Sequence, residues 1–196
     1  MKPLLLLYCF LITICCRAQQ QYTVAQLKDG KFKEDSSHIY TLPFETGKKV
    51  FLVQGYESMF SHKGSKALDF KVKTGTKVCA ARGGVVTAIR KDSDAGGLKQ
   101  ANLSDGNYVF IKHADGSEAN YWHFQKDSVF VSVGDTIITG QLIGKSGNTG
   151  YSAFPHLHFE VRGYDANGNY TELPTRFYTQ QGVIYLRPGK FYRTRR

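Results

Sequence analysis

One short run, Pro155-His156-Leu157-His158-Phe159-Glu160, constrains this chain more than any other segment. Its residues predict a β-strand, and successive side chains of a strand point to opposite faces. His156 and His158 therefore share one face, with Cα atoms roughly 6.5–7 Å apart, while Leu157 and Phe159 point to the other face and toward a core. Two imidazoles on one face are typical either of a metal site or of a solvated surface, so any further ligands must come from elsewhere in the chain.

The rest of the sequence predicts short strands joined by tight turns. Glycine and aromatic residues are abundant, with 20 Gly, 12 Tyr and 13 Phe among 196 residues, and long helical periodicity is scarce. Strands predicted at 107–113 and 118–124 flank the turn Ala114-Asp115-Gly116 and form a hairpin. The pattern predicts one mainly β domain, an antiparallel sandwich or barrel-like fold, with a long surface loop over 91–106.

The first eighteen residues have the features of an export signal. A basic start is followed by an apolar run over residues 4–14 and a small-x-small end at Ala18. We expect cleavage after Ala18 and a periplasmic or extracellular protein with no transmembrane segment. Lipidation at Cys15 or Cys16, which would attach the protein to the envelope, is the alternative.

Charge and cysteine content limit the partners and the cross-links. The formal net charge is +10, and removal of residues 1–18 takes away two basic and no acidic residues, which leaves +8. An exported basic protein suits an anionic envelope polymer better than nucleic acid, so we predict no nucleic-acid partner. Cleavage leaves Cys79 as the only cysteine, which excludes an intramolecular disulfide and, among apolar neighbours, predicts a buried thiol.

Further candidate ligands are scattered upstream of the two strand histidines. His62 lies in a predicted loop, Asp69 on a predicted strand and His123 on an aromatic strand. Considered separately, each has an ordinary interpretation, namely an exposed loop histidine, a hydrogen-bonded acid and a structural histidine. A catalytic zinc site needs three protein ligands and an open position. His113 is expected to form hydrogen bonds at the end of its hairpin, and His38 to be exposed.

Considered together, these residues match a known pattern. The sequence resembles the lysostaphin-type zinc metallopeptidases of bacterial cell walls over residues 42–161. The blocks that carry the resemblance, in the family's order, are His62 with Asp69, GTKVCAARGGVV at 75–86, GNYV at 106–109, YWH at 121–123, VGD at 133–135, GQLIG at 140–144, SGNTG at 146–150 and PHLHFE at 155–160.

The resemblance implies that His62, Asp69 and His158 bind one Zn²⁺ per chain. Six residues separate His62 from Asp69, a longer spacing than in many members of that family. His62 must therefore reach the metal from a longer loop.

The resemblance also implies the remaining parts of an active site. His123 and His156 match the two unligated histidines beside the metal, which would act as acid and base, and Tyr56 is the candidate oxyanion donor. The implied fold is an antiparallel β-sandwich, the duplicated hybrid motif. The implied surface groove has walls formed by the loops at 91–106 and 146–153.

The expected organisation is a signal peptide at 1–18, a lead-in at 19–48, a zinc metallopeptidase domain at 49–163 and a C-terminal extension at 164–196 packed on the domain. The expected function is a secreted or periplasmic zinc metalloendopeptidase that hydrolyses peptide bonds in peptidoglycan. One alternative is a non-catalytic envelope protein that keeps the fold to bind or regulate. Another is a secreted sandwich that stacks carbohydrate on Trp122 and the tyrosines.

Overall fold

The computed structural model describes residues 39–195. The predicted signal peptide, its cleavage site, most of the lead-in and His38 lie outside the described residues. Within residues 39–195 there is no α-helix, and no helix there is long and apolar enough to cross a membrane.

Regular structure in the described part consists of strands and one short 3₁₀ helix. In chain order these are β1 (Ile39–Thr41), β2 (Lys49–Gln54), β3 (Leu68–Lys71), β4 (Lys77–Cys79), β5 (Gly84–Arg90), β6 (Gly96–Gly97), the 3₁₀ helix (Gln100–Ser104), β7 (Tyr108–Lys112), β8 (Glu118–Trp122), β9 (Phe124–Val129), β10 (Thr136–Ile137), β11 (Leu142–Ser146), β12 (Gly150–Tyr151), β13 (His156–Tyr164), β14 (Tyr170–Glu172), β15 (Arg176–Thr179), β16 (Gly182–Ile184) and β17 (Lys190–Arg193).

The largest sheet has nine strands in the order β10-β5-β7-β8-β13-β3-β2-β17, with β14 paired to β13 outside this path. Two three-stranded sheets, β4-β11-β9 and β1-β15-β16, and the short pair β6-β12 complete the fold. Every pairing between these strands is antiparallel except β1 with β15 and β6 with β12. The prediction of a mainly β fold is confirmed, as is the hairpin of β7 and β8.

Strand register gathers the functional side chains into one row. Directly opposed residues of antiparallel strands point to the same face of a sheet. Gln54 on β2 is opposite Asp69 on β3, Asp69 is opposite His158 on β13, His158 is opposite Trp122 on β8, and Trp122 is opposite Tyr108 on β7. Five strands thus present one row of side chains to the same side of the sheet.

The core lies behind that row, as alternation predicted for Leu157 and Phe159, both fully buried. The two ends of the described chain share this core. Tyr40 lies with its ring centroid 6.1 Å from that of Phe159, and Phe177 lies 5.8 Å from Phe159. Cys79 is buried, as predicted. Packing therefore does not stop at the expected domain limits of 49 and 163.

The C-terminal segment is also built into the main sheet. β14 pairs with β13, and β17 pairs with β2, where Tyr192 is opposite Val50. Residues 164–195 therefore extend the sheet at two places, which goes beyond the expected packing on its surface.

Candidate metal centre and its cleft

Asp69 lies at the centre of the polar cluster in the row. Its side chain is 4 % exposed. Its Oδ2 accepts a hydrogen bond from Gln54 Nε2 at 2.6 Å, and its Oδ1 lies 2.9 Å from His158 Nδ1. A carboxylate buried to this degree needs donors or cations around it, because an isolated buried charge is very costly.

His62 reaches Asp69 from the loop between β2 and β3. Its ring is buried, with Nε2 3.3 Å from Asp69 Oδ2 and Nδ1 3.2 Å from the carbonyl oxygen of Gly55. The backbone N–H of His62 donates to the carbonyl of Ser58, which folds the loop back on itself. The longer spacing before Asp69 therefore does not keep His62 away from the cluster.

His156 begins β13, on the same face as His158. Its Nδ1 lies 2.8 Å from the carbonyl oxygen of Phe154 and 3.1 Å from Ser152 Oγ, and its Nε2 lies 3.6 Å from Asp69 Oδ1. The strand thus carries both histidines to one face, as the alternation predicted.

His123 interrupts the strand that the sequence predicted over 118–124. Its φ of 69° is in the left-handed region, so β8 ends at Trp122 and β9 begins at Phe124. The break turns its ring toward His156, with centroids 4.5 Å apart, and its Nδ1 lies 2.6 Å from the carbonyl oxygen of Thr149. A backbone conformation this uncommon for a non-glycine residue is typical of functional sites.

The cluster contains two contacts between hydrogen-bond acceptors. A carbonyl oxygen only accepts, so His62 and His156 each use the Nδ1 proton on Gly55 and Phe154 and keep a lone pair on Nε2. Both lone pairs face Asp69, at 3.3 Å and 3.6 Å. Such acceptor pairs repel unless a proton or a metal cation lies between them. The arrangement therefore fits a cation.

Electrostatics around Asp69 lead to the same conclusion. Burial alone would raise the pKa of Asp69, but the hydrogen bond from His158 and the neighbouring imidazole of His62 outweigh it and hold the pKa well below its usual range. Burial disfavours the charged form of His158, yet its hydrogen bonds to Asp69 and Glu160 raise the pKa of His158 to about 10. A proton on His158 and a divalent cation are alternative ways to balance the Asp69 charge.

The pKa values of His123 and His156 shift in the direction opposite to that of His158. Burial, with the nearby charges of His156 and His158, lowers the pKa of His123 to about 3. Burial also lowers the pKa of His156. Both rings are therefore neutral at neutral pH.

Two overlapping groups bring three donor atoms within 4.8 Å of one another, and His158 belongs to both. One consists of His62, Asp69 and His158, and the other of His123, His156 and His158. Nitrogen and carboxylate oxygen donors of this kind are the usual ligands of zinc.

A cleft of about 310 Å³ opens over the cluster. Its walls come partly from the two loops expected to form them, 91–106 and 146–153, which the parallel pair β6-β12 joins, and partly from Phe60 in the loop before Asp69. The apolar residues that line the cleft are Phe60, Leu98, Leu103, Trp122, Tyr151, Ala153 and Phe154.

The geometry does not support Tyr56 as an oxyanion donor. Its side chain is buried and is not part of the cleft lining. Its hydroxyl accepts a hydrogen bond from the backbone N–H of Thr175 at 2.8 Å. His113 also lies elsewhere, at the end of its hairpin, with Nδ1 2.8 Å from the carbonyl oxygen of Gly83.

Sequence reasoning missed Gln54 and the role of Glu160. Gln54 meets Asp69 only through a register that shifts at a bulge in β2, so no local pattern reveals it. Glu160 lies two residues after His158, on the same face, and its Oε2 is 4.0 Å from His158 Nε2. Strand alternation, already used for the two histidines, was the available signal for Glu160.

Comparison with known proteins gives a family match. The sequence model of peptidase family M23 matches residues 63–172, just over half of the chain. Peptidoglycan DD-endopeptidase ShyA of Vibrio cholerae serotype O1 is 36% identical over 115 residues, which are 58% of this chain and 23% of that protein. Glycyl-glycine endopeptidase ALE-1 of Staphylococcus capitis is 33% identical over 115 residues, 59% of this chain and 29% of that protein.

The chain therefore spans about a quarter of the length of these curated relatives. Among solved structures, a deep-sea M23 metalloprotease named pseudoalterin matches with a TM-score of 0.51 and 22% identity, over 82% of this chain and 98% of that chain. At that identity the structural match shows a shared fold.

Proposed function

The chain belongs to peptidase family M23, and from this premise we propose that it is a zinc metalloendopeptidase that hydrolyses peptide bonds in peptidoglycan. The observation that carries the proposal is the convergence of histidine nitrogens on the buried Asp69 carboxylate. That convergence lies under a cleft whose walls are loops on a rigid sheet, a usual location for a catalytic site.

We propose His62, Asp69 and His158 as the ligands of one Zn²⁺ per chain. Three protein ligands with nitrogen and oxygen donors, leaving one position open, are characteristic of catalytic zinc. The alternative group of three histidines lacks the carboxylate. Asp69 favours the proposed set, because its negative charge is where a divalent cation is most strongly attracted.

Zn²⁺ held by these residues would supply Lewis acidity toward water and toward the scissile carbonyl group. His123 and His156 then have the acid and base roles. Each donates its Nδ1 proton to a backbone carbonyl, Thr149 or Phe154, so each Nε2 has a lone pair that can take a proton from the attacking water. The protonated ring can afterwards donate to the oxyanion or to the leaving amine.

The chemistry of the cleft fits a peptide substrate. Exposed apolar walls such as Phe60, Leu98 and Tyr151 can bury backbone and small side chains, while the polar cluster lies at the floor. The two named relatives are called a DD-endopeptidase and a glycyl-glycine endopeptidase. The proposed substrate is therefore the peptide part of peptidoglycan, whichever of its peptide bonds is cut. The signal-like residues 1–18 and the basic net charge support export to the envelope.

Purified peptidoglycan tests the proposal directly. The mature protein is incubated with walls that carry direct cross-links and, separately, with walls that carry glycine bridges, and the products are identified by mass spectrometry. We expect new peptide ends that vanish with a chelator and return with zinc, and the wall that is cut identifies the bond. His158→Ala is the control for contaminating hydrolases. Intact walls of both kinds with a zinc-loaded protein would favour the non-catalytic alternative.

A further inference from the structure

The loop that carries His62 has no strand pairing of its own, yet it must hold that ring against Asp69. It runs over residues 55–67 between β2 and β3. Its internal hydrogen bonds close turns, such as the one from the Ser65 N–H to the His62 carbonyl at 3.0 Å, and none of those described belongs to a strand ladder. A loop of this kind samples other conformations unless outside contacts fix it. Gln54 holds the middle of the loop through Ser61, and the C-terminal segment contacts both of its ends.

The start of the loop is fixed by Thr175 and Pro188. The buried Tyr56 hydroxyl accepts a hydrogen bond from the Thr175 N–H at 2.8 Å. Gly55, whose carbonyl orients His62, packs so closely on Pro188 that a Cβ added to it would lie 3.1 Å from Pro188 Cδ. Tyr56, for which the resemblance implied a role as oxyanion donor, thus ties the loop to the C-terminal segment.

The end of the loop is fixed by Glu172. One oxygen, Oε2, accepts from Ser65 Oγ at 2.8 Å and also from the backbone N–H of Lys66. The Glu172 carbonyl oxygen accepts from Lys66 Nζ at 2.9 Å. A carboxylate that accepts several donors makes stronger bonds than a neutral acceptor. Glu172 therefore holds the loop three to four residues after His62.

Glu172 is also tied to β13, the strand that carries His158. Glu172 ends β14, where it is opposite Arg162 on β13, and β13 begins with His156 and continues with His158. The position of His62 relative to His158 is thus set through β14 as well as through Asp69.

Resting on the proposed function, we propose that Glu172 is a positioning residue of the metal centre, which holds the loop 55–67 so that His62 stays in ligand geometry. It touches neither metal nor substrate. The C-terminal segment is then part of the active site's support, and a metallopeptidase domain ending at 163 would lack it.

The test uses the mature full chain and three variants. Glu172→Ala removes the acceptor. Glu172→Gln keeps one oxygen that can accept from Ser65 and Lys66. Glu118→Ala is the matched control, because Glu118 is opposite the other side of Arg162 on β8 and its carboxylate accepts only from Thr87 among the hydrogen bonds described. Zinc affinity is measured by competition with a chromophoric chelator, and hydrogen exchange of the loop amides is measured by mass spectrometry without added metal.

We expect Glu172→Ala to weaken zinc binding by about tenfold or more. Tenfold is about the smallest loss that is typical when a residue that orients a metal ligand is removed. Its amides at 57–66 should exchange at least about fivefold faster. Glu172→Gln should stay within about threefold of the wild type in zinc affinity, and Glu118→Ala should change neither quantity. A residue that only stabilises the fold would lower the melting temperature and leave the zinc affinity of the folded protein unchanged.

The two proposals fail differently. A wild-type protein that binds no zinc would overturn the proposed function, while the exchange experiment would still report on the loop. A wild-type protein that binds zinc, with unchanged affinity and unchanged loop exchange in Glu172→Ala, would overturn only the role of Glu172.

Discussion

The candidate metal site is assembled from two kinds of backbone. On one side, Asp69 and His158 project from opposed positions of β3 and β13 in the middle of the largest sheet. On the other side, His62 comes from a loop and His123 from a single left-handed residue between two strands. The strand side is held by the hydrogen-bond ladder of the sheet, and the loop side depends on side-chain contacts with residues distant in sequence, such as Glu172 and Thr175. On the strand side, the local sequence predicts which face of its strand a side chain occupies. On the loop side, the position of a side chain depends on contacts with residues that are distant in sequence.

The largest effect is expected on the strand side. His158→Ala removes the residue shared by both candidate ligand groups and leaves Asp69 without its closest imidazole nitrogen. We expect zinc content far below one per chain and activity lower by about 10³-fold or more. Metal analysis and peptidoglycan digestion measure both. His113→Asn, a histidine change at a distant hairpin end, should keep both. Full zinc content in His158→Ala would remove this residue from the ligand set.

On the loop side, His123→Ala should separate metal binding from turnover. The proposed ligands remain, so zinc content should stay at one per chain, while loss of an acid or base group lowers kcat by about 10²–10⁴-fold. Metal analysis with steady-state kinetics on the same sample distinguishes the two roles. Loss of zinc together with activity would instead assign His123 to the ligand set.

The sequence predicted the strand side of the site better than the loop side. Alternation correctly gave one shared face for His156 and His158 and a core behind them, because a strand's period is independent of its neighbours. The φ of His123, which splits a predicted strand, accompanies a ring contact with His156 that no local pattern reveals. The long loop before Asp69 left the position of His62 open, because Glu172 and Thr175 fix it from more than a hundred residues away.

The other face of β13 tests whether core packing also positions the strand histidines. Leu157 lies between the two strand histidines but is fully buried in the core. Leu157→Ala should cost about 3 kcal/mol of unfolding free energy through lost burial and a residual cavity. Urea titration measures this loss. The zinc affinity of the folded fraction should change little if the hydrogen bonds between β3 and β13 fix the positions of Asp69 and His158. A large drop in that affinity would show that core packing also sets the ligand geometry.

The smallest effect is expected for Asp115, which lies in the turn between β7 and β8, far from the cleft. Partial burial would raise the pKa of Asp115, but hydrogen bonds from Ser117 and Arg82 hold it well below the usual range. A depressed pKa stabilises the fold above the unfolded-state value of about 3.9, and this contribution is lost as the pH falls below it. Asp115→Asn should cost about 1 kcal/mol at pH 7. The gap to the wild type should shrink between about pH 4.5 and pH 2.

Urea titrations across that range measure the gap, and zinc content should be unaffected throughout. Asp92→Asn, at a largely exposed ion pair with Arg90, is the control, and because solvent screens that pair its effect on stability should be smaller than that of Asp115→Asn at pH 7. A gap for Asp115→Asn that widens on acidification would contradict the sign of the pKa shift.

Anomalous diffraction at the zinc absorption edge, from crystals of the zinc-loaded protein, tests the central claim most directly. We expect one peak per chain, about 2.0–2.2 Å from His62, Asp69 and His158, with His123 and His156 outside bonding distance. A peak held by His123, His156 and His158, or no peak within the cluster, would contradict it.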